Sequence, residues 1–122
     1  MPFKMDIKEQ KEGIFVARME GSLDTETALL FDESVKPYLA PPTKALILDM
    51  SKLAYITSMG LGSIFQARKA LEAGGGKLII TNPQPQIKKV FEIVKALPRS
   101  LIFESIEEID RYLDAMQKKE IK

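Results

Sequence analysis

The stretch Thr57-Ser58-Met59-Gly60-Leu61-Gly62 puts two hydroxyls and two glycines into six positions, just where an apolar segment gives way to an amphipathic helix. Ser58 stands where an N-cap belongs, its oxygen placed to accept from amides of the first helical turn. Those amides and the helix dipole also stabilise negative charge. A phosphate on Ser58 would add about −1.5 to −2 charges at this tip. Cap and phosphoacceptor are therefore both open readings of one serine. Gly60 and Gly62 each cost roughly 1 kcal/mol relative to alanine inside a helix. Something requires bare backbone there, either close helix–sheet contact or close approach by another molecule.

Other chemistries lack their residues. The chain has no cysteine and no histidine, which excludes disulfides, thiolate catalysis, Ser–His–Asp catalysis and the usual zinc sites. No cofactor and no metal is expected, nor an enzyme. A dinucleotide fingerprint would need glycine three places after Gly62, where Phe65 stands, and a P-loop would need Gly-Lys-Ser/Thr. Gly74-Gly75-Gly76 follows a helix and reads as its C-terminal turn. The neighbouring carboxylates Asp32-Glu33 and Glu107-Glu108 read as solubilising charge on exposed helix faces. Only Asp24 and Asp49 are expected to approach Ser58, and Asp49 has the simpler alternative of bonding local backbone.

The elements that position this tip follow from periodicity. Phe3, Met5 and Ile7 alternate with Lys4, Asp6 and Lys8, and a second strand runs from Ile14 to Met19, turned at Glu12-Gly13, so an N-terminal antiparallel hairpin is expected. Gly21-Ser22-Leu23-Asp24 ends it, and Asp24 or Thr25 caps a helix from about Thr25 to Leu39 that Pro41-Pro42 stops. Ala45–Leu48 reads as a central strand covered on both faces, followed by a connection from Ser51 to Thr57. A helix of about sixteen residues opens at Ser58 with Leu61, Ile64, Phe65 and Leu71 inward. Lys77–Ile80 is a strand, and Ile87, Val90, Phe91, Val94 and Leu97 mark a helix closed by Pro98. Leu101–Phe103 is a short strand. Ser105-x-x-Glu108 spells a capping box before a last helix with Ile106, Ile109, Leu113 and Met116 as its apolar stripe. The fold class is α/β: a mainly parallel mixed sheet with an N-terminal hairpin and about four helices.

At 122 residues, 45% hydrophobic and 29% charged, the chain fits one domain over 1–122, with a core over 3–116 and a frayed tail at 117–122. Its net charge of +1 calls for neither nucleic acid nor an anionic membrane. The segment MPFKMDIKEQ has no signal-peptide apolar run and nothing reaches a membrane span, so the cytoplasm is the expected location.

The chain resembles STAS domains, in particular stand-alone bacterial anti-sigma factor antagonists. The resemblance rests on Gly21-Ser22-Leu23-Asp24-x-x-Thr27, on Ile47-Leu48-Asp49-Met50-Ser51 and above all on Ser58-Met59-Gly60-Leu61-Gly62, with Gly75-Gly76-Lys77-Leu78 and Asn82-Pro83…Val90-Phe91 in register. It implies partner switching: the unmodified antagonist binds an anti-sigma factor of the serine-kinase type, phosphorylation at Ser58 weakens the complex, and a phosphatase resets it. Asp24, Thr57, Ser58, Met59, Gly60 and Gly62 are then the partner-binding residues. The family's usual Asp before the serine is Thr57 here, which is a second candidate acceptor, and the second serine of its usual pair is Met59. The rival expectation is a sensor that holds a nucleotide or small metabolite without phosphorylation.

Overall fold

The computed structural model describes residues 3–96 and 106–120. Strands β1 (Lys4–Lys11) and β2 (Ile14–Leu23) form the expected antiparallel hairpin, with Met5 opposite Met19 and Ile7 opposite Ala17. β3 (Ala45–Ile56) lies parallel to β2, and β4 (Lys77–Thr81) parallel to β3, giving the order β1-β2-β3-β4. Helices α1 (Ala28–Val35), α2 (Ser58–Ala73), α3 (Pro85–Ala96) and α4 (Ile106–Glu120) complete the described fold.

One face of the sheet builds the core. Ala17, Met19, Leu46, Leu48 and Met50 are buried there against Phe31 and Val35 of α1, Leu61, Ile64 and Leu71 of α2, Ile87 and Val90 of α3, and Leu113 of α4. The opposite face is not covered by the described residues: Ile47 is only half-buried and Ile79 is 41% exposed. The run Ala45–Leu48 therefore has one buried face rather than two.

Several boundaries differ from the sequence expectation. β2 does not stop at Met19 but runs through Gly21, Ser22 and Leu23, and the expected connection from Ser51 onward is strand as far as Ile56. The two extensions pair with each other, Gly21 with Leu53 and Leu23 with Ile56, across two register shifts. Those shifts hide the strand from a period-2 search, because Met50, Leu53 and Ile56 are buried at a spacing of three. Helix α1 is shorter than expected. Asp24 takes up the amides of Glu26 and Thr27 in a turn before it, and a 3₁₀ turn over Lys36–Tyr38 follows it. Phe65 lies 40% exposed, edge-on to Phe91 with ring centroids 6.4 Å apart, not in the core. The expected strand Leu101–Phe103, the stop at Pro98 and the Ser105 capping box lie outside the described residues.

Helix α4 continues to Glu120, past the point where a frayed tail was expected. Gln117 explains this: it is fully buried, and its amide spans the backbone of Ile56, accepting from the N–H at 2.8 Å and donating to the C=O at 2.7 Å. This side chain completes the backbone pairing at the end of β3. Replacing Gln117 by leucine keeps the volume but strands two buried backbone groups, each worth about 1–3 kcal/mol. Urea unfolding of Gln117→Leu is therefore expected to show a loss of about 2–6 kcal/mol, against little change for Lys119→Ala on the same helix.

Candidate functional site

The junction between β3 and α2 is built by contacts from two directions. From β2, the Leu23 carbonyl accepts the Thr57 amide at 3.0 Å and lies directly against Gly60. A Cβ at Gly60 would meet that oxygen at 2.5 Å and the Leu23 side chain at 2.9 Å. Gly60 is buried, so its bareness serves close approach of α2 to the sheet. Gly62 is different: nothing lies within 4 Å of where its Cβ would be.

From α4, three polar side chains on one face grip the junction. Asp110 accepts from both the Ser58 amide, at 2.9 Å, and the Ser58 hydroxyl, at 2.8 Å. Asp114 accepts from the Tyr55 hydroxyl at 2.6 Å and is backed by Lys118 at 3.1 Å. Gln117 holds Ile56. Positions 110, 114 and 117 share one side of a helix by their i, i+4, i+7 spacing, flanking the buried Leu113.

The expected N-cap is displaced by one residue. Thr57 caps α2, its hydroxyl accepting from the Gly60 amide over a long 3.4 Å, and Ser58 is the first helical residue. The backbone is extended at Thr57 (φ −106°, ψ 176°) and helical from Ser58, whose hydroxyl donates to Asp110 rather than serving as the cap. Ser58 and Thr57 are half-buried, while Met59 is 41% exposed beside them. Asp24 belongs to the neighbouring turn, where its carboxylate accepts from the amides of Glu26 and Thr27 and the Thr27 hydroxyl. It organises the residues just after Leu23. Asp49 does not approach Ser58: it lies seven positions before Ile56 on β3, roughly 23 Å at ~3.3 Å per residue, and accepts from the Ser51 amide. That bond holds its carboxyl below the usual range.

Asp110 and Asp114 are the carboxylates that do reach the tip, and neither was found from sequence. The available signal was weak: polar residues at helical spacing bordering an apolar stripe. Their charges are felt at Tyr55. Burial first, then the hydrogen bond to Asp114, pushes the Tyr55 hydroxyl well above the ordinary tyrosine range, with Asp114, Asp110 and Asp24 adding their fields. The Tyr55 bond, with Lys118 behind it, holds the Asp114 carboxyl low.

A separate groove of about 610 Å³ is lined by Lys4, Asp6, Arg18, Glu20, Asp49 and Lys52 among others, and shares no residue with the Ser58 cluster. Its charges largely answer one another, Arg18 facing Asp49 at 3.8 Å and Lys52 facing Glu20 at 3.9 Å. Among the described residues no cluster of acidic side chains is arranged to hold a metal, and no helix is long and apolar enough to cross a membrane.

The STAS domain family matches residues 7–109 of the chain. The chain belongs to the STAS family. The resemblance read from the sequence is thereby confirmed, as is the mixed-sheet fold. BtrV of Bordetella bronchiseptica, named as a candidate anti-sigma factor antagonist, is 26% identical over 82 residues, 67% of this chain and 71% of BtrV. Among solved structures, the unphosphorylated anti-sigma factor antagonist SpoIIAA superposes with a TM-score of 0.67 at 24% identity, covering 89% of this chain and 96% of SpoIIAA. Its phosphorylated form, from Bacillus, gives 0.64. A candidate anti-sigma factor antagonist from Thermotoga maritima gives 0.68 at 21% identity, covering 90% and 94% of the two chains. At these identities the structural matches carry the fold alone.

The two glycines of the STAS tip should separate cleanly in thermal unfolding. Gly60→Ala forces a methyl into the Leu23 carbonyl and should cost about 1–3 kcal/mol. Gly62→Ala meets open space and should gain about 0.5–1 kcal/mol from helix propensity. Tyr55 gives a further expectation. Above pH ~10 an unfolded chain releases the tyrosine proton while the folded chain, with its raised value, keeps it. Stability is therefore whole below that pH and falls as pH rises through the folded value. Melting curves from about pH 8 to 11 should show a steeper alkaline loss for wild type than for Tyr55→Phe.

Proposed function

We propose that this STAS domain is an anti-sigma factor antagonist that works by binding, in the cytoplasm, and that its α2 start is both the docking tip and the phosphorylation switch. The observation that carries the reading is the Ser58 hydroxyl, half-buried on the first turn of α2 beside an exposed Met59. The partner is an anti-sigma factor of the serine-kinase type, with a phosphatase to reset the cycle. Ser58 is the acceptor; Thr57, whose hydroxyl is engaged as the α2 cap, is the secondary candidate.

Within this reading the partner-facing residues divide by role. Met59 offers apolar area and Gly62 a bare stretch of helix, open to a partner's close approach. Thr57 and Gly60 act from behind, one capping α2 and the other seating it, and Asp24 fixes the adjacent turn. A phosphate at this tip adds about −1.5 to −2 charges beside the Asp110 carboxylate already bonded to Ser58, and an unpaired charge in an interface is strongly unfavourable. The names of BtrV and SpoIIAA support the antagonist role, and the existence of a phosphorylated SpoIIAA supports the switch. The alternative, a sensor of a nucleotide or metabolite, would draw on the charged groove, whose internally paired residues offer a ligand little unmet charge.

The experiment pairs the chain with its anti-sigma factor and ATP, followed by mass measurement and binding. Wild type should gain one phosphate, Ser58→Ala none, and Ser58→Asp should bind at least roughly tenfold more weakly, about 1.4 kcal/mol. Gly62→Ala should also bind more weakly although it folds more stably. Binding that is indifferent to all these substitutions would reject the tip as the docking site, and a ligand-dependent rise in melting temperature without any partner would favour the sensor.

A further inference from the structure

The helix start that would receive a phosphate already holds an anion, and that anion comes from the chain itself. A helix N-terminus attracts negative charge through its unpaired amides. Here the Ser58 amide is taken by Asp110, and the same carboxylate oxygen takes the Ser58 hydroxyl. Asp110 is thus a positioning residue, and its bonds tie α4 to α2. Next along the same face of α4, Asp114 and Gln117 hold Tyr55 and Ile56.

We propose that Asp110 is a latch coupling Ser58 to α4: a phosphate on Ser58 displaces the Asp110 carboxylate and loosens the docking of α4 on the β3–α2 junction. The inference rests on the reading of Ser58 as a phosphoacceptor. In the transfer, a bond forms from the Ser58 oxygen to the γ-phosphorus of ATP as the bond from that phosphorus to its bridging oxygen breaks. The hydroxyl proton goes to the base the kinase supplies, and ADP leaves. The proton that Ser58 shared with Asp110 is then gone, so one of the two bonds is lost outright. The phosphoryl oxygens, as acceptors, compete for the Ser58 amide, which threatens the second. What remains is a dianion facing a carboxylate, with Asp114 one turn further along and Lys118 on the same helix already paired with Asp114. Repulsion therefore acts at the end of α4 that carries Asp110, and Gln117 is left to hold the other end. Modification is read in this way on the α4 face as well as at the tip.

The test uses the full chain alone, with phosphoserine installed at position 58 during translation, and follows amide hydrogen exchange. Phosphorylation should speed exchange across 110–117 at least tenfold, with β1 and β2 unchanged. In the phosphoserine chain, Asp110→Asn should return exchange towards the unmodified rate, because the amide neither repels the phosphate nor lacks a donor for it. Asp110→Ser serves the same purpose where the first variant folds poorly. Unchanged α4 exchange on phosphorylation would overturn the latch, and so would acceleration that persists in full in both Asp110 variants. No partner enters this measurement, so failure of the latch and failure of the antagonist reading register in different experiments.

Discussion

The approach of α2 to the Leu23 carbonyl is the constraint from which the rest of the site follows. That oxygen accepts the Thr57 amide and leaves no room for a side chain at Gly60. Any other residue at position 60 would push the first turn of α2 off the sheet and move Ser58 with it. The helix therefore accepts a propensity penalty of roughly 1 kcal/mol in return for a fixed seat. β2 can supply the carbonyl only because it runs on to Leu23, paired with Ile56 at the far end of β3. Strand length, glycine and serine position are one linked arrangement.

α4 closes that arrangement from the other side, and it does so through polar groups. Buried hydrogen bonds contribute modestly when made but are costly when one partner is left alone. Gln117 sits deep enough that its two bonds to Ile56 are obligatory, so it holds α4 in one register. Asp110 and Asp114 sit further out, half-buried, where a competing anion or a change of charge can reach them. The helix is thus anchored by a neutral contact at one end and by charged contacts at the other. The charged contacts include the one that touches Ser58.

How legible this was in the sequence depended on whether a pattern was local. The hairpin was readable because Met5, Ile7, Ala17 and Met19 keep strict alternation, and α2 because Leu61, Ile64 and Leu71 keep helical spacing up to a triple glycine. Ser58 at the helix start was readable for the same reason, although the cap falls on Thr57. The second half of β3 was not, since its register shifts break alternation at the point where a strand would be sought. Phe65 fits an inward helical spacing yet sits at the rim of the core, facing Phe91. Asp49 looked near Ser58 only while the strand was taken to end beside it. Asp110 and Ser58 lie 52 positions apart, and no local pattern connects them; their meeting is a property of the fold.

The absent family aspartate takes on a different meaning in this light. An acidic residue at position 57 would place a carboxylate immediately before α2, at the cap that Thr57 now fills through the Gly60 amide, and would add to the fields of Asp24, Asp110 and Asp114 that already bear on Tyr55. Thr57 caps the helix without charge through the Gly60 amide, and the first turn takes its anion from α4 through the Ser58 amide. A carboxylate next to the serine in sequence belongs to α2 and can only move with it. A carboxylate on α4 joins two elements, and any group that displaces it changes how those elements are held together. With the cap supplied by uncharged Thr57, the carboxylate that meets Ser58 is one that links it to a second helix.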